Sequence, residues 1–310
     1  MFHVKPSDSA SPNQDFGVDT PLARELADLS TRRKALSTVD VAFTGPTRVF
    51  TISNQKGGVG KTTSAVNLAS ALAGLGAKVL VIDLDPQGNA STALGIPHTA
   101  DTSSIYDVLI DDLPIAEIVQ ASPEHENLFC APSTIHLAGA EIELVSQVAR
   151  EFRLRRALEA YLRDHHMDFV IIDCPPSLGL LTINAFTAAS EVLIPIQAEY
   201  YALEGLSQLL GNIQMIQKHL NPELHLSTIL LTMFDARTRL AQQVSDEVRN
   251  HFPEQVLDAV IPRSVRVSEA PSFGQTVISY DGTSAGAIAY REAAVEIAQR
   301  GERTSQNKEQ

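Results

Sequence analysis

Gln55-Lys56-Gly57-Gly58-Val59-Gly60-Lys61-Thr62-Thr63 lies between an apolar run at 49–53 and a helical stretch at 62–75, where Ala65, Leu68, Ala69 and Leu72 share one stripe. Strand, glycine-rich loop and helix in that order make a phosphate-binding site. Glycines let a backbone wrap closely around phosphate oxygens, because a Cβ would block the approach and the φ values such a loop needs. The helix then begins with its unpaired N–H groups aimed at the anion. Lys61 is placed to reach the β- and γ-phosphates, and the Thr62 hydroxyl to complete a Mg²⁺ shell. The general pattern G-x-x-x-x-G-K-[ST] has glycine where this chain has Gln55, and a second lysine, Lys56, follows. Two lysines on one loop offset roughly half of a triphosphate's charge before any cation is counted.

Working outward, short apolar runs at 49–53, 78–85, 168–173, 191–197, 226–234 and 258–261 alternate with helical patterns. Such alternation predicts an α/β fold: a single nucleotide-binding domain with a mostly parallel twisted sheet flanked by helices. A second helix is legible from Leu203, Leu206, Leu210, Ile213 and Ile216, closed by Asn221 and Pro222. Ligands in open α/β sheets sit beyond the carboxyl ends of the strands, so carboxylates there should converge on the loop. Asp83 and Asp85 close the second run, and alternation points them to one side of the sheet. Asp173 closes Phe169-Val170-Ile171-Ile172 in the manner of a magnesium-supporting strand. Asp83 reads slightly better as a structural acceptor than as a reacting group.

The chain has 310 residues, 44% of them hydrophobic, enough for a sizeable core. Its formal net charge of −13 excludes a protein that coats nucleic acid with its whole surface, though not a local basic patch. Cys130 and Cys174 show no metal-ligand spacing and read as reduced core residues. Residues 1–20 lack an apolar leader and no run is long enough to span a membrane, so the expected location is cytoplasmic. The expected organisation is a flexible polar extension over 1–46 with one weak helix near 22–36, a domain over 47–300, and a polar tail over 301–310. The arginines at 150, 153, 155, 156 and 163 are interleaved with Glu151 and Glu159 and read as a solvated helix face.

The loop resembles the deviant Walker A sequence K-G-G-x-G-K-T of the ParA, MinD and iron-protein class of ATPases. Segments 83–89, 137–144, 173–184, 199–205, 231–238 and 261–272 extend that likeness to Soj-type chromosomal ParA proteins, covering nearly all of residues 48–300. The resemblance implies ATP and Mg²⁺ as cofactors, held by Lys56, Gly57, Gly58, Val59, Gly60, Lys61, Thr62 and Thr63. Lys56 would cross to the phosphates of a second subunit, Asp85 would orient the attacking water, and Thr62, Asp85 and Asp173 would form the Mg²⁺ site, with Asp173 supporting the ion. It further implies an ATP-dependent homodimer on nucleoid DNA, bound without sequence preference, and a ParB-type centromere-binding partner that stimulates slow hydrolysis. Pro262 and Ser264 would border the base, with Ser264 standing where the family usually has asparagine.

For DNA the candidates are Arg237 and Arg239 after one strand, and Arg263 and Arg266 in a proline-containing loop; the resemblance favours Arg237 and Arg266. No aromatic interleaving suggests base stacking, in keeping with phosphate contacts. A MinD-like membrane-positioning ATPase is the alternative, but it needs an amphipathic C-terminal helix, and residues 301–310 hold nothing apolar to insert. A redox iron protein would need cysteines bridging a cluster, and a carboxylate-activating synthetase would need a small-molecule pocket that the sequence does not reveal.

Overall fold

A computed structural model describes residues 20–199 and 202–308; the reading of residues 1–19 and of Tyr200 and Tyr201 falls outside them. In chain order the elements are α1 (Pro21–Leu36), β1 (Arg48–Ile52), α2 (Lys61–Gly74), β2 (Val79–Asp83), α3 (Asn89–Ala93), α4 (Ile105–Asp111), β3 (Gln120–Ala121) and β4 (Leu128–Ala131). They continue with α5 (Leu137–Leu144), α6 (Arg153–Asp164), β5 (Phe169–Asp173), α7 (Leu180–Ala188), β6 (Glu191–Gln197), α8 (Ala202–His219), β7 (His225–Phe234) and α9 (Arg239–His251). The last are β8 (Val256–Pro262), α10 (Val265–Glu269), α11 (Val277–Tyr280) and α12 (Ala285–Lys308).

The strands form one sheet in the order β3-β4-β2-β5-β1-β6-β7-β8, parallel throughout except for the β3–β4 pair. The order reverses at β1, so the loop leaving β1 opens at the point where a crevice must form. Both faces of the sheet are covered. Val79, Val81, Phe169 and Ile171 join the core under α2 and α12, while Leu80, Ile82, Val170 and Ile172 join the core under α4 to α9. Two-sided burial explains why these strands read as unbroken apolar runs.

Several expectations are corrected. The second run ends as a strand at Asp83, not at residue 85: Leu84 N–H donates to Asp173 O (2.9 Å) and the chain then turns at Asp85 and Pro86. β3 and β4 were not anticipated, being too short to show a pattern. α2 is buried on nearly every side rather than along one stripe, because its alanines and serines let α12 approach through Ala287, Ala293 and Ala294.

Residues 20–46 are not a loose extension. Thr20 Oγ1 accepts from Ala23 N–H (3.2 Å) to cap α1, and Arg32 forks onto Glu292 of α12 at 2.8 and 2.6 Å. Val41 is buried and Phe43 meets Phe169 edge-on at 5.8 Å between centroids. Val39, Val41 and Phe43 alternate over too short a stretch to stand out in the sequence, and a tertiary groove receives them.

The expected tail is helical to Lys308. Gly301 lies within α12 where the Arg48 side chain packs against it; a Cβ there would stand 2.8 Å from Arg48 Nη1. Arg153 is not on a solvated face. It is buried, donates to Leu109 O and to Ile110 O (3.3 Å), and pairs with Asp112 at 2.7 Å, so it closes the carbonyl end of α4. Both cysteines are free and buried. Among the described residues no helix is long and apolar enough to cross a membrane.

Candidate nucleotide site

Strand register builds this site. Asp173 pairs with Ile52 on one side and with Asp83 on the other, so the ends of β1, β5 and β2 are level. The loop springs from the first of these and the two carboxyls stand beside it. Gly58 and Gly60 adopt φ of +74° and +90°, values that L side chains rarely accept. A Cβ on Gly57 or Gly58 would meet nothing within 4 Å, and one on Gly60 nothing closer than 4.0 Å. The loop is thus a cradle with open space where side chains would project.

Three ties hold it. Asn54 Oδ1 accepts from Lys56 N–H (3.0 Å) while its Nδ2 donates to Pro195 O of β6 (2.9 Å). Thr232 of β7 donates to Val59 O (2.9 Å), and Ser64 N–H donates to Gly60 O (2.8 Å). Met233, next to Thr232, has φ +49°, a strained value for a side-chain-bearing residue, and its Cε is one of the atoms 4.0 Å from the Cβ position of Gly60. Asn54 and Thr232 escaped sequence reasoning, since nothing local marks a residue that bonds across strands.

Lys61 opens α2 and is buried, with Nζ 3.4 Å from Lys56 O. Burial lowers its pKa, and the nearby Asp173 and Asp85 oppose that shift. Lys56 points elsewhere: it is exposed and paired with Glu199, just past β6. Asp83 is fully buried, and its Oδ2 accepts from both N–H (2.8 Å) and Oγ–H (2.7 Å) of Ser91. Burial pushes its carboxyl up to about 6. Asp85 is not on the same strand face as Asp83; it sits partly exposed in the following turn, with Oδ1 accepting from Gln87 N–H at 3.0 Å.

Asp173 is the anomaly. It is fully buried, and neither carboxyl oxygen accepts a hydrogen bond. Burial, then the neighbouring Asp83, drive its pKa well above the ordinary carboxylate range; the Thr62 hydroxyl and Lys61 pull it back, the hydroxyl without reaching hydrogen-bonding geometry. A buried acceptor pair with no donor is costly, and it marks a place for a cation or an ordered water. Among the described residues no group of three or more His, Cys, Asp or Glu side chains is placed to hold a metal alone. Thr62 and Asp173 therefore suit Mg²⁺, which takes one or two protein oxygens and completes its shell from phosphate and water.

The chain is similar to several known proteins. The family model described as an AAA domain matches residues 47–226. The sporulation initiation inhibitor protein Soj of Bacillus subtilis is 54% identical over 254 residues, 82% of this chain and 99% of that one. The chromosome partitioning protein ParA of Myxococcus xanthus is 53% identical over 243 residues, 78% of this chain and 85% of its own. The chain belongs to the ParA/Soj family of P-loop ATPases. Among solved structures, cobyrinic acid a,c-diamide synthase from Mycobacterium smegmatis with bound ADP and magnesium superposes with a TM-score of 0.71 at 38% identity, covering 83% of this chain and 96% of that one. The septum site-determining protein MinD of Pyrococcus horikoshii, complexed with Mg-ADP, gives 0.64 at 26% identity, covering 81% and 96%.

The remaining ParA/Soj positions lie on the loops leaving β7 and β8. Arg263 N–H donates to Phe234 O (3.2 Å), which fastens these two loops together. Pro262 closes β8 and Ser264 precedes α10, with Gly286 of α12 close behind the Ser264 side chain. Arg237 is 88% exposed and forks onto Asp235 through Nε and Nη2, both at 2.8 Å. The Arg237 hydrogen bonds hold Asp235 down at about 2, with Arg263 a lesser contributor. Arg266 is held by other acids, Glu269 at 3.4 Å and Asp281 at 3.5 Å. The structure thus brings Arg237 and Arg263 to adjoining loops, each reached by the field of Asp235, and pairs Arg237 and Arg266 with acids.

Proposed function

We propose that this chain is a MgATP-dependent dimerising ATPase that binds nucleoid DNA without sequence preference and drives chromosome or plasmid segregation with a ParB-type partner. The observation that carries the reading is the division of labour between two lysines of one loop: Lys61 is buried beside Asp173, whereas Lys56 is exposed and turned toward Glu199. An exposed ammonium paired with Glu199 can exchange that carboxylate for a neighbour's phosphates.

In this reading the N–H groups of residues 57–63 and Lys61 bind and orient the phosphates. Thr62 and Asp173 would hold Mg²⁺, which when bound supplies positive charge to the phosphate oxygens. Asp85, partly exposed in its turn, accepts a hydrogen bond from the attacking water and aligns it. Pro262 and Ser264 border the base, the Ser264 hydroxyl offering one hydrogen bond. Slow turnover follows while the water is imperfectly aligned, and the ParB-type partner accelerates it. Arg237, Arg263 and Arg266 meet DNA phosphates, a contact that carries no sequence information.

A MinD-like membrane-positioning ATPase shares the loop and the carboxylates, and a carboxylate-activating synthetase is suggested by the Mycobacterium smegmatis neighbour. The higher identity to Soj and ParA over most of their length favours partitioning. Sedimentation of the full chain with and without saturating MgATP tests the proposal. Wild type should dimerise, Lys56→Ala should bind ATP and stay monomeric, and a wild type that remains monomeric would sink the reading.

A further inference from the structure

We propose that His98 is a positioning residue for hydrolysis, clamping the turn that carries Asp85. The proposal rests on the reading of Asp85 as the group that aligns the water. The Asp85 turn is closed by Gly88, whose N–H donates to Asp85 O at 2.9 Å and whose φ is +64°. His98 lies ten positions further along, yet its ring fills the space that a side chain on Gly88 would take. A Cβ there would stand 2.7 Å from His98 Cε1 and 2.8 Å from Nδ1, with Ser133 O at 3.4 Å as the next neighbour.

The ring is also wired to the turn. Thr92 Oγ1 lies 3.1 Å from Gly88 O and 2.9 Å from His98 Nε2. A hydroxyl has one proton, and Gly88 O is an acceptor only, so the threonine proton goes to the carbonyl. His98 Nε2 must then carry a hydrogen and donate to Thr92. The relay runs from His98 Nε2–H to Thr92 Oγ–H to Gly88 O, on the same residue whose N–H holds Asp85. The segment bearing His98 is itself fixed: Ile96 is buried and its N–H donates to Ser91 O (2.9 Å), and Gln120 Nε2 donates to Pro97 O (3.2 Å). Ser91 in turn holds Asp83. His98 therefore covers a turn that is also held by Thr92 and by Asp83, whose Oδ1 accepts from Asp85 N–H at 3.3 Å.

Three variants separate space from hydrogen bonding: His98→Ala removes both, His98→Phe keeps the ring, and His98→Gln keeps a donor. Steady-state ATP hydrolysis by the full chain should show kcat falling about ten-fold in His98→Ala, below the ~100-fold that a misplacement near 1 Å costs, with KM for ATP unchanged. His98→Gln should recover most of the rate and His98→Phe should not. Wild-type kcat in all three, or a loss confined to KM, overturns the proposal. Asp85→Ala in the same assay isolates the reading beneath it. Full hydrolysis by Asp85→Ala removes that reading, whereas an inactive Asp85→Ala beside a wild-type rate in His98→Ala removes only the role of His98.

Discussion

Asp83 on β2 and Asp173 on β5 are ladder partners, both fully buried, and only the first has hydrogen-bond donors. Two carboxyls side by side in the buried interior oppose each other's ionisation. The fold tolerates this because the second carboxyl lies near the buried Lys61 and keeps both oxygens open to a cation.

The pair makes stability depend on pH and on ligand. The folded Asp83 carboxyl is pushed up to about 6 from an ordinary 3.8. Between those values the folded chain keeps a proton that the unfolded chain has lost, so stability falls as pH rises and the loss is complete above about 6. The displacement corresponds to ~3 kcal/mol. Asp173 shifts in the same direction. The melting temperature of the nucleotide-free chain should therefore drop between about pH 4.5 and 7, and MgATP should shrink the drop; a melting temperature that climbs over that range contradicts the assignment.

Lys61 is buried near Asp173 and Asp85, and no other residue of the loop places a buried ammonium there. Lys61→Ala should weaken ATP binding by ~10- to 100-fold, the scale of one charge-assisted contact. Isothermal titration with MgATP measures it directly. Unchanged affinity would move the phosphate site off this loop.

Arg237 presents the outer edge of its guanidinium to solvent while Asp235 occupies the inner edge. Arg237→Glu should weaken DNA retention in the presence of ATP and flatten its salt dependence by about one unit of slope, leaving the dimer intact. Retention equal to wild type at low salt would take Arg237 out of the interface.

The likeness of 47–300 to one family was open to reading because it rests on types and spacing: glycines where positive φ is needed, a lysine and threonine at the helix start, carboxylates closing apolar runs. Those are local demands of the backbone and of phosphate, so they are written locally. The alternating runs announced a sheet covered on both faces for the same reason. What the sequence left open were contacts between distant segments. Residues 39–46 looked polar and loose, yet Val41 and Phe43 find a groove beside Phe169. Arg153 looked solvated, yet the end of α4 needs its guanidinium. Asp83 and Asp85 looked like neighbours on one strand face; the ladder ends after the first, and they part into a buried acceptor and a partly exposed one.

Composition and motif therefore determined the chemistry this protein can hold, because glycine, lysine and aspartate have those capacities wherever they stand. Tertiary structure alone decided which carboxyl lost every donor, which lysine was buried and which left outside, and what braces the turn of Asp85. Burial and hydrogen-bond partners belong to the packed chain, where residues far apart in order set each other's dielectric and geometry.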